Sequence, residues 1–189
     1  MKVLALNGSP NKNGNTKFLI DTLENALENM VVSFESINVL ETLNDAKWFP
    51  CTACSSPCNK CCFKGTKVEE AFEKIKEADC LILASPVYYG TVSGILKCFW
   101  DKTRSLRDER ALVGKKCAAI ASGHAKFGGQ ETTIRALHDM ALVQGMEIIA
   151  DGSTEFDAGH HGVASHGSAQ EDEFAIQRCK VLASRIMEK

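Results

Sequence analysis

Four cysteines crowd into one short stretch: Cys51, Cys54, Cys58 and Cys61, spaced x2, x3 and x2, with Cys62 directly after the last. Thiolates at that density suit a four-iron cluster or a zinc tetrahedron, each of which takes four soft ligands. Reduced, redox-active thiols are the third reading. The spacing is not the common bacterial ferredoxin run. Pro57 and Asn59 favour turns that let a short loop wrap a metal. The chain has nine cysteines. An odd total without an export signal argues against a disulfide scaffold and towards metal or redox use. Cys80, Cys98, Cys117 and Cys179 fall in strand and helix patterns and read as small core residues.

Three further loops carry unusual composition. The first runs Gly8-Ser-Pro-Asn-Lys-Asn-Gly-Asn-Thr16, between an apolar strand and a helix start. Small and hydroxyl residues there expose backbone N–H groups, and the helix dipole favours an anion. The loop is neither a Walker A loop nor GxGxxG, and no lysine is placed to reach a second or third phosphate. A single phosphate held by Ser9, Asn11, Asn15 and Thr16, with Asn13 beside them, fits the composition. A capped helix start with an Asn/Gly turn is the competing reading. The second loop, Ser85–Gly94, holds both tyrosines of the chain, Tyr88 and Tyr89. With Pro86, Val87 and Gly90 they suit a flat conjugated ring, although aromatic residues also favour subunit interfaces. The third loop, Ala121–Glu131, offers Ser122, Gly123 and His124, then Gly128 and Gly129, where backbone can approach a ligand. His124 reads either as a donor to a ring carbonyl or as a solvated loop histidine.

These loops need a frame. Five apolar runs read as strands: Lys2–Leu6, Val31–Val39, Asp79–Ala84, Lys116–Ala121 and Met146–Ala150. Five stretches with helical periodicity alternate with them: Lys17–Met30, Val68–Ala78, Thr91–Arg104, Glu131–Gln144 and Glu171–Met187. Apolar strands without period-two alternation imply burial on both faces, hence a parallel sheet covered by helices. The expected architecture is a three-layer α/β sandwich with five parallel strands in the order 2-1-3-4-5. In such a sheet ligands sit beyond the carboxyl ends of the strands, where the order reverses. The first and second loops should therefore be neighbours, with the third bordering them. One domain over residues 1–189 is expected, with a cysteine-rich insertion at about 47–65 and a C-terminal loop and helix over 152–189.

Composition narrows the function. With 22 Lys+Arg against 24 Asp+Glu, the chain is not a basic nucleic-acid binder. No apolar stretch is long enough to span a membrane, and the first strand is too short for a signal-peptide core. A cytoplasmic protein is expected.

The segments GSPNKNGNT, SPVYYGTVSGILKCFWDK and ASGHAKFGGQET together resemble the NAD(P)H-dependent FMN reductase family of flavodoxin-like proteins. The resemblance covers most of residues 1–150. It implies bound FMN, with Ser9, Asn15 and Thr16 at the phosphate. It puts Pro86–Gly90 along the isoalloxazine, and Ser122–His124 with Gly128 and Gly129 at its far edge. It also implies a homodimer or homotetramer with the flavin at the subunit boundary. The implied reaction moves electrons from NAD(P)H through the flavin to a quinone, a flavin, a nitro- or azo-compound or a redox protein. Lys97 and Asp101 fall in family register. Two positions depart: Asn11 stands where the family often has arginine, and Lys102 follows Asp101 where arginine is usual. The cysteine run resembles the compact motif of iron–sulfur flavoproteins, a branch of the same family carrying a 4Fe-4S cluster near FMN, with Cys62 as the spare thiol. An electron carrier with little NAD(P)H activity is the alternative, and a thiol or metal sensor without flavin a third. His160, His161 and His166, in GHHGVASHG, read as a loop over the flavin or at a subunit contact, with a divalent-metal site as the other reading.

Overall fold

The computed structural model describes residues 1–28 and 30–188. In its sheet β1 (Lys2–Asn7) lies between β2 (Ser33–Asn38) and β3 (Cys80–Pro86). Beyond β3 lies β4 (Lys116–Gly123), and every pairing in the sheet is parallel. The strand order is 2-1-3-4-5, as the alternation of apolar runs and helices predicts. Continuous apolar runs arise because both sheet faces are covered. Leu4 and Leu6 join the core under α3 (Lys67–Glu77), α4 (Gly94–Lys102) and α6 (Gln130–Leu142). Val3 and Ala5 join the opposite core, under α1 (Asn15–Leu27) and α7 (Glu173–Met187).

The edge beside β4 departs from expectation. The fifth strand is only β5 (Glu147–Ile148), paired with Lys116 and Cys117. A sixth strand, β6 (Val163–His166), pairs with Ile120–Gly123. The edge is thus one strand broken in two, and the intervening residues, 149–162, swing out of the sheet. The sequence reading of 152–170 as continuous loop is corrected here. Val163-Ala-Ser-His166 is too short an apolar run to register, and only the paired edge of β4 makes it a strand. Gly162 enters that edge closely, since a Cβ there would sit 2.5 Å from the Ala119 carbonyl oxygen.

Helix boundaries also shift. The first helix ends at Leu27 rather than Met30; position 29 lies outside the described residues. Val39 belongs not to β2 but to a short helix, α2 (Val39–Leu43), capped by the Asn38 side chain. The stretch 91–104 is not one helix. α4 starts at Gly94 behind the cap of Ser93, and α5 (Arg104–Asp108) follows after Thr103.

Candidate functional site

The first three loops meet at the carboxyl edge of the sheet, fastened by side chains of opposite loops. Ser93 donates from Oγ to the Gly8 carbonyl at 2.6 Å, and its own N–H donates to Ser85 Oγ at 2.9 Å. Gly8 itself has no room for a side chain, because a Cβ would lie 2.7 Å from Leu96 Cβ. The second and third loops touch backbone to backbone. A Cβ on Gly129 would come within 2.7 Å of Gly90 Cα, and Thr132 Oγ1 donates to the Gly90 carbonyl at 2.6 Å. Thr16 Oγ1 and Ser122 Oγ share a hydrogen bond at 2.7 Å, tying the first loop to β4.

Two helix N-termini open onto this edge without a side-chain cap. α1 begins after Gly14, and α6 after Gly129, which sits at φ 104°. Other helices that start from loops, α3, α4 and α7, are capped by Thr66, Ser93 and Asp172. Uncapped first-turn N–H groups carry partial positive charge and await an acceptor. The lysines nearest the first loop are already paired, Lys12 with Glu41 and Lys17 with Asp21. An anion at this loop would therefore be held by backbone and dipole more than by side-chain cations.

The predicted binding residues are partly engaged already. Ser9 is buried; its N–H donates to Asn7 Oδ1 and its hydroxyl accepts from the Asn11 N–H. Asn11 in turn accepts from the Asn13 N–H. Asn15 turns towards β6: Nδ2 donates to the Gly167 carbonyl at 2.7 Å, and Oδ1 accepts from the Ala169 N–H at 3.1 Å. It braces the segment after β6, at the end of the GHHGVASHG stretch that the sequence reads as a loop over the flavin or at a subunit contact.

The tyrosine loop is a tight turn in which Tyr88 and Thr91 exchange backbone hydrogen bonds. Tyr89 and Gly90 both take left-handed backbone, at φ 50° and 82°. That conformation costs a non-glycine residue roughly 1–2 kcal/mol. It throws the Tyr89 ring fully into solvent, with Tyr88 half exposed and Phe127 of the third loop almost fully exposed. Val87 ties this turn to β4 through its N–H, which donates to the Ser122 carbonyl at 2.8 Å. His124 lies exposed at the end of β4.

The cysteine run forms a second site, at the end of α4 opposite Ser93. Cys51, Cys54, Cys58, Cys61 and Cys62 all line one small cavity, together with Trp48 and Arg104. Cys54 and Cys61 approach to 3.5 Å, and this shared hydrogen bond is the main cause holding the Cys61 thiol above its ordinary pKa. Among the described residues, no three Cys, His, Asp or Glu side chains stand close enough together to hold one metal ion. A zinc ion would need its four sulfurs about 2.3 Å away. The donor set is all soft thiolate, the chemistry that a four-iron core or a zinc ion takes. α5 is the platform of the loop: Asp108 accepts from the Cys58 N–H at 2.9 Å, and Glu109 pairs with Lys60 at 2.8 Å.

The histidines do not converge. His166 closes β6 against Asp172 at 3.1 Å, His160 lies 3.5 Å from Asp157, and the His161 ring stands 6.2 Å from that of His138. A cavity of about 1150 Å³ lies between residues 152–158 and α7. It is wide open, and none of the predicted site residues lines it.

Comparisons with known proteins bear on the family and the fold. Over its whole length the chain is 34% identical to an iron–sulfur flavoprotein of Methanocaldococcus jannaschii, covering 96% of that protein. It is 32% identical to an iron–sulfur flavoprotein of Methanosarcina thermophila, across 98% of this chain and 93% of the other. The fold matches that of RosB, solved with a bound flavin-phosphate intermediate, at a TM-score of 0.76 and 13% identity over 98% of this chain and 77% of that one. Residues 1–161 match the model of the NADPH-dependent FMN reductase family. With that match, and full-length relatives above 30% identity, the chain belongs to the NADPH-dependent FMN reductase family.

Proposed function

We propose that this protein is an FMN-binding oxidoreductase that moves electrons between NAD(P)H and an acceptor, with a four-iron cluster in the cysteine loop as a second redox centre. The observation that carries the reading is the meeting of three loops beside two uncapped helix N-termini, a short helix away from five thiols around one cavity. FMN, when bound, supplies the hydride and electron chemistry. The chain's own residues bind and orient. The first turn of α1 and the loop from Ser9 would take the phosphate; Tyr88–Gly90 and the loop from Ser122 to Gly129 would frame the ring. Backbone N–H groups of α6 would face its polar edge. Cys51, Cys54, Cys58 and Cys61 would ligate the cluster.

The relatives named iron–sulfur flavoproteins, together with the intact thiol ring, favour one second reading. In it the protein is an electron carrier that reacts slowly with NAD(P)H. Exposed Tyr88, Tyr89 and Phe127 also fit a homo-oligomer that covers the ring loops. Anaerobically purified protein is expected to show flavin absorption, with about four irons per chain, the content of one such cluster. Steady-state oxidation of NADH and NADPH then separates reductase from carrier. Protein that stays free of flavin after FMN is added would overturn the reading.

A further inference from the structure

Lys102 is the last residue of α4 and is only 1% exposed, which is rare for a lysine. Its ammonium donates to the Trp48 carbonyl at 3.0 Å and to Cys62 Sγ at 3.4 Å. Neither partner carries a carboxylate's charge. A buried ammonium held only by a carbonyl and a thiol is expensive unless an anion lies close by. The thiol it touches, Cys62, lines the same cavity as Cys51, Cys54, Cys58 and Cys61, whose thiols can become anionic.

The placement is also mechanical. The Lys47 N–H donates to the Cys62 carbonyl at 2.9 Å and closes the neck of the loop. Lys102 reaches both sides of that neck, Trp48 on one and Cys62 on the other. Cys62 is buried beside Cys61 and takes the ammonium's hydrogen bond, so its thiol can anchor the loop at the base of the cavity that all five cysteines line. At the far end of α4, Ser93 bolts the helix to the first loop. Nine residues of helix span about 13 Å. One rigid element therefore joins the loops expected to hold flavin to the base of the cysteine loop.

We infer that Lys102 is a positioning residue and a fixed positive charge for the group held by Cys51, Cys54, Cys58 and Cys61, with Cys62 as its anchor rather than a ligand. The inference rests on the reading that those four cysteines hold an iron–sulfur cluster. A core bound by four thiolates is anionic, and one added electron makes it more so. The ammonium therefore favours the reduced state and raises the potential. The electron gained is lost by the reduced flavin or, in a titration, by dithionite.

The test uses anaerobically purified wild-type protein and three variants, with iron counted per chain and the cluster potential followed by electron paramagnetic resonance. Lys102→Gln removes the charge but keeps a donor for the neck. It is expected to retain iron while its reduction equilibrium constant falls at least tenfold, about 59 mV for a one-electron couple. Lys102→Arg should restore most of the shift, and the flavin potential should stay put in both. Cys62→Ser should keep its full iron content. A Lys102→Gln potential equal to wild type overturns the charge role, and iron loss in Cys62→Ser overturns the anchor role. Wild-type protein without iron overturns the cluster reading, and this inference with it.

Discussion

At the scale of single residues, the expected flavin edge is built from backbone that side chains cannot tolerate. Gly129 combines φ 104° with a Cβ direction aimed at Gly90 Cα, 2.7 Å away. Both obstacles are backbone, so neither yields to a rotamer change. Gly129→Ala should push the second and third loops apart and weaken FMN binding by about tenfold or more, roughly 1.4 kcal/mol. Quenching of flavin fluorescence on titration measures this directly, and unchanged affinity would remove Gly129 from the site. Tyr89 makes the complementary point. It takes left-handed backbone while its ring stands fully in solvent, so packing among the described residues does not account for the placement.

At the scale of elements, the broken edge strand needs a clamp, and α7 supplies it. Arg178 on α7 is 1% exposed and donates from Nε to Asp151 Oδ2 at 2.5 Å and from Nη2 to the Asp151 carbonyl at 2.7 Å. Asp151 also accepts from the His160 N–H, so one carboxylate gathers both ends of the excursion between β5 and β6. The hydrogen bond to Asp151 is the first cause holding the Arg178 pKa above its ordinary value. Phe156 and Phe174 each lie 5.6 Å from the guanidinium and shield the pair. Arg178→Met should cost about 3–5 kcal/mol, because it strands a fully buried carboxylate. Adding Asp151→Asn to the same chain should recover part of that loss. Urea unfolding midpoints of the two variants test the pair, and equal midpoints would mean that the carboxylate is not the liability.

At the scale of the whole molecule, seven of the nine cysteines fall into two populations with different chemistry. Burial pushes the Cys80 and Cys179 thiols up to about 12, and Cys117, fully enclosed between the helical layers, is also held well above its ordinary value. These thiols stay protonated near neutral pH and cannot act as nucleophiles. Cys51, Cys54, Cys58 and Cys61 lie at the surface, on the rim of one cavity. Iodoacetamide applied to native, cluster-free protein at pH 7 should label the four rim cysteines within minutes. It should leave Cys80, Cys117 and Cys179 untouched until denaturant is added. Mass spectrometry of peptides reads this out, and early labelling of Cys80 or Cys117 would mean that the sheet opens on that timescale.

Much of this was legible in the chain itself. Strand-length apolar runs without alternation determine a doubly covered parallel sheet, because only two helical layers can hide both faces of KVLAL or CLILA. Glycines and tyrosines after the first, third and fourth strands marked loops that meet at one edge of the sheet, and the cysteine spacing marked the thiols that line one cavity. Long-range pairing decided the rest. No local pattern distinguishes Val163–His166 from loop, since four residues become a strand only when β4 offers them hydrogen-bond partners. Nor can spacing show that Asn15 spends both ends of its amide on residues more than 150 positions away, or that Lys102 lies beneath the cysteine neck. A sequence specifies which groups a segment carries; which of them face one another, and which are left free for a ligand, is settled only when distant segments compete for the same partners.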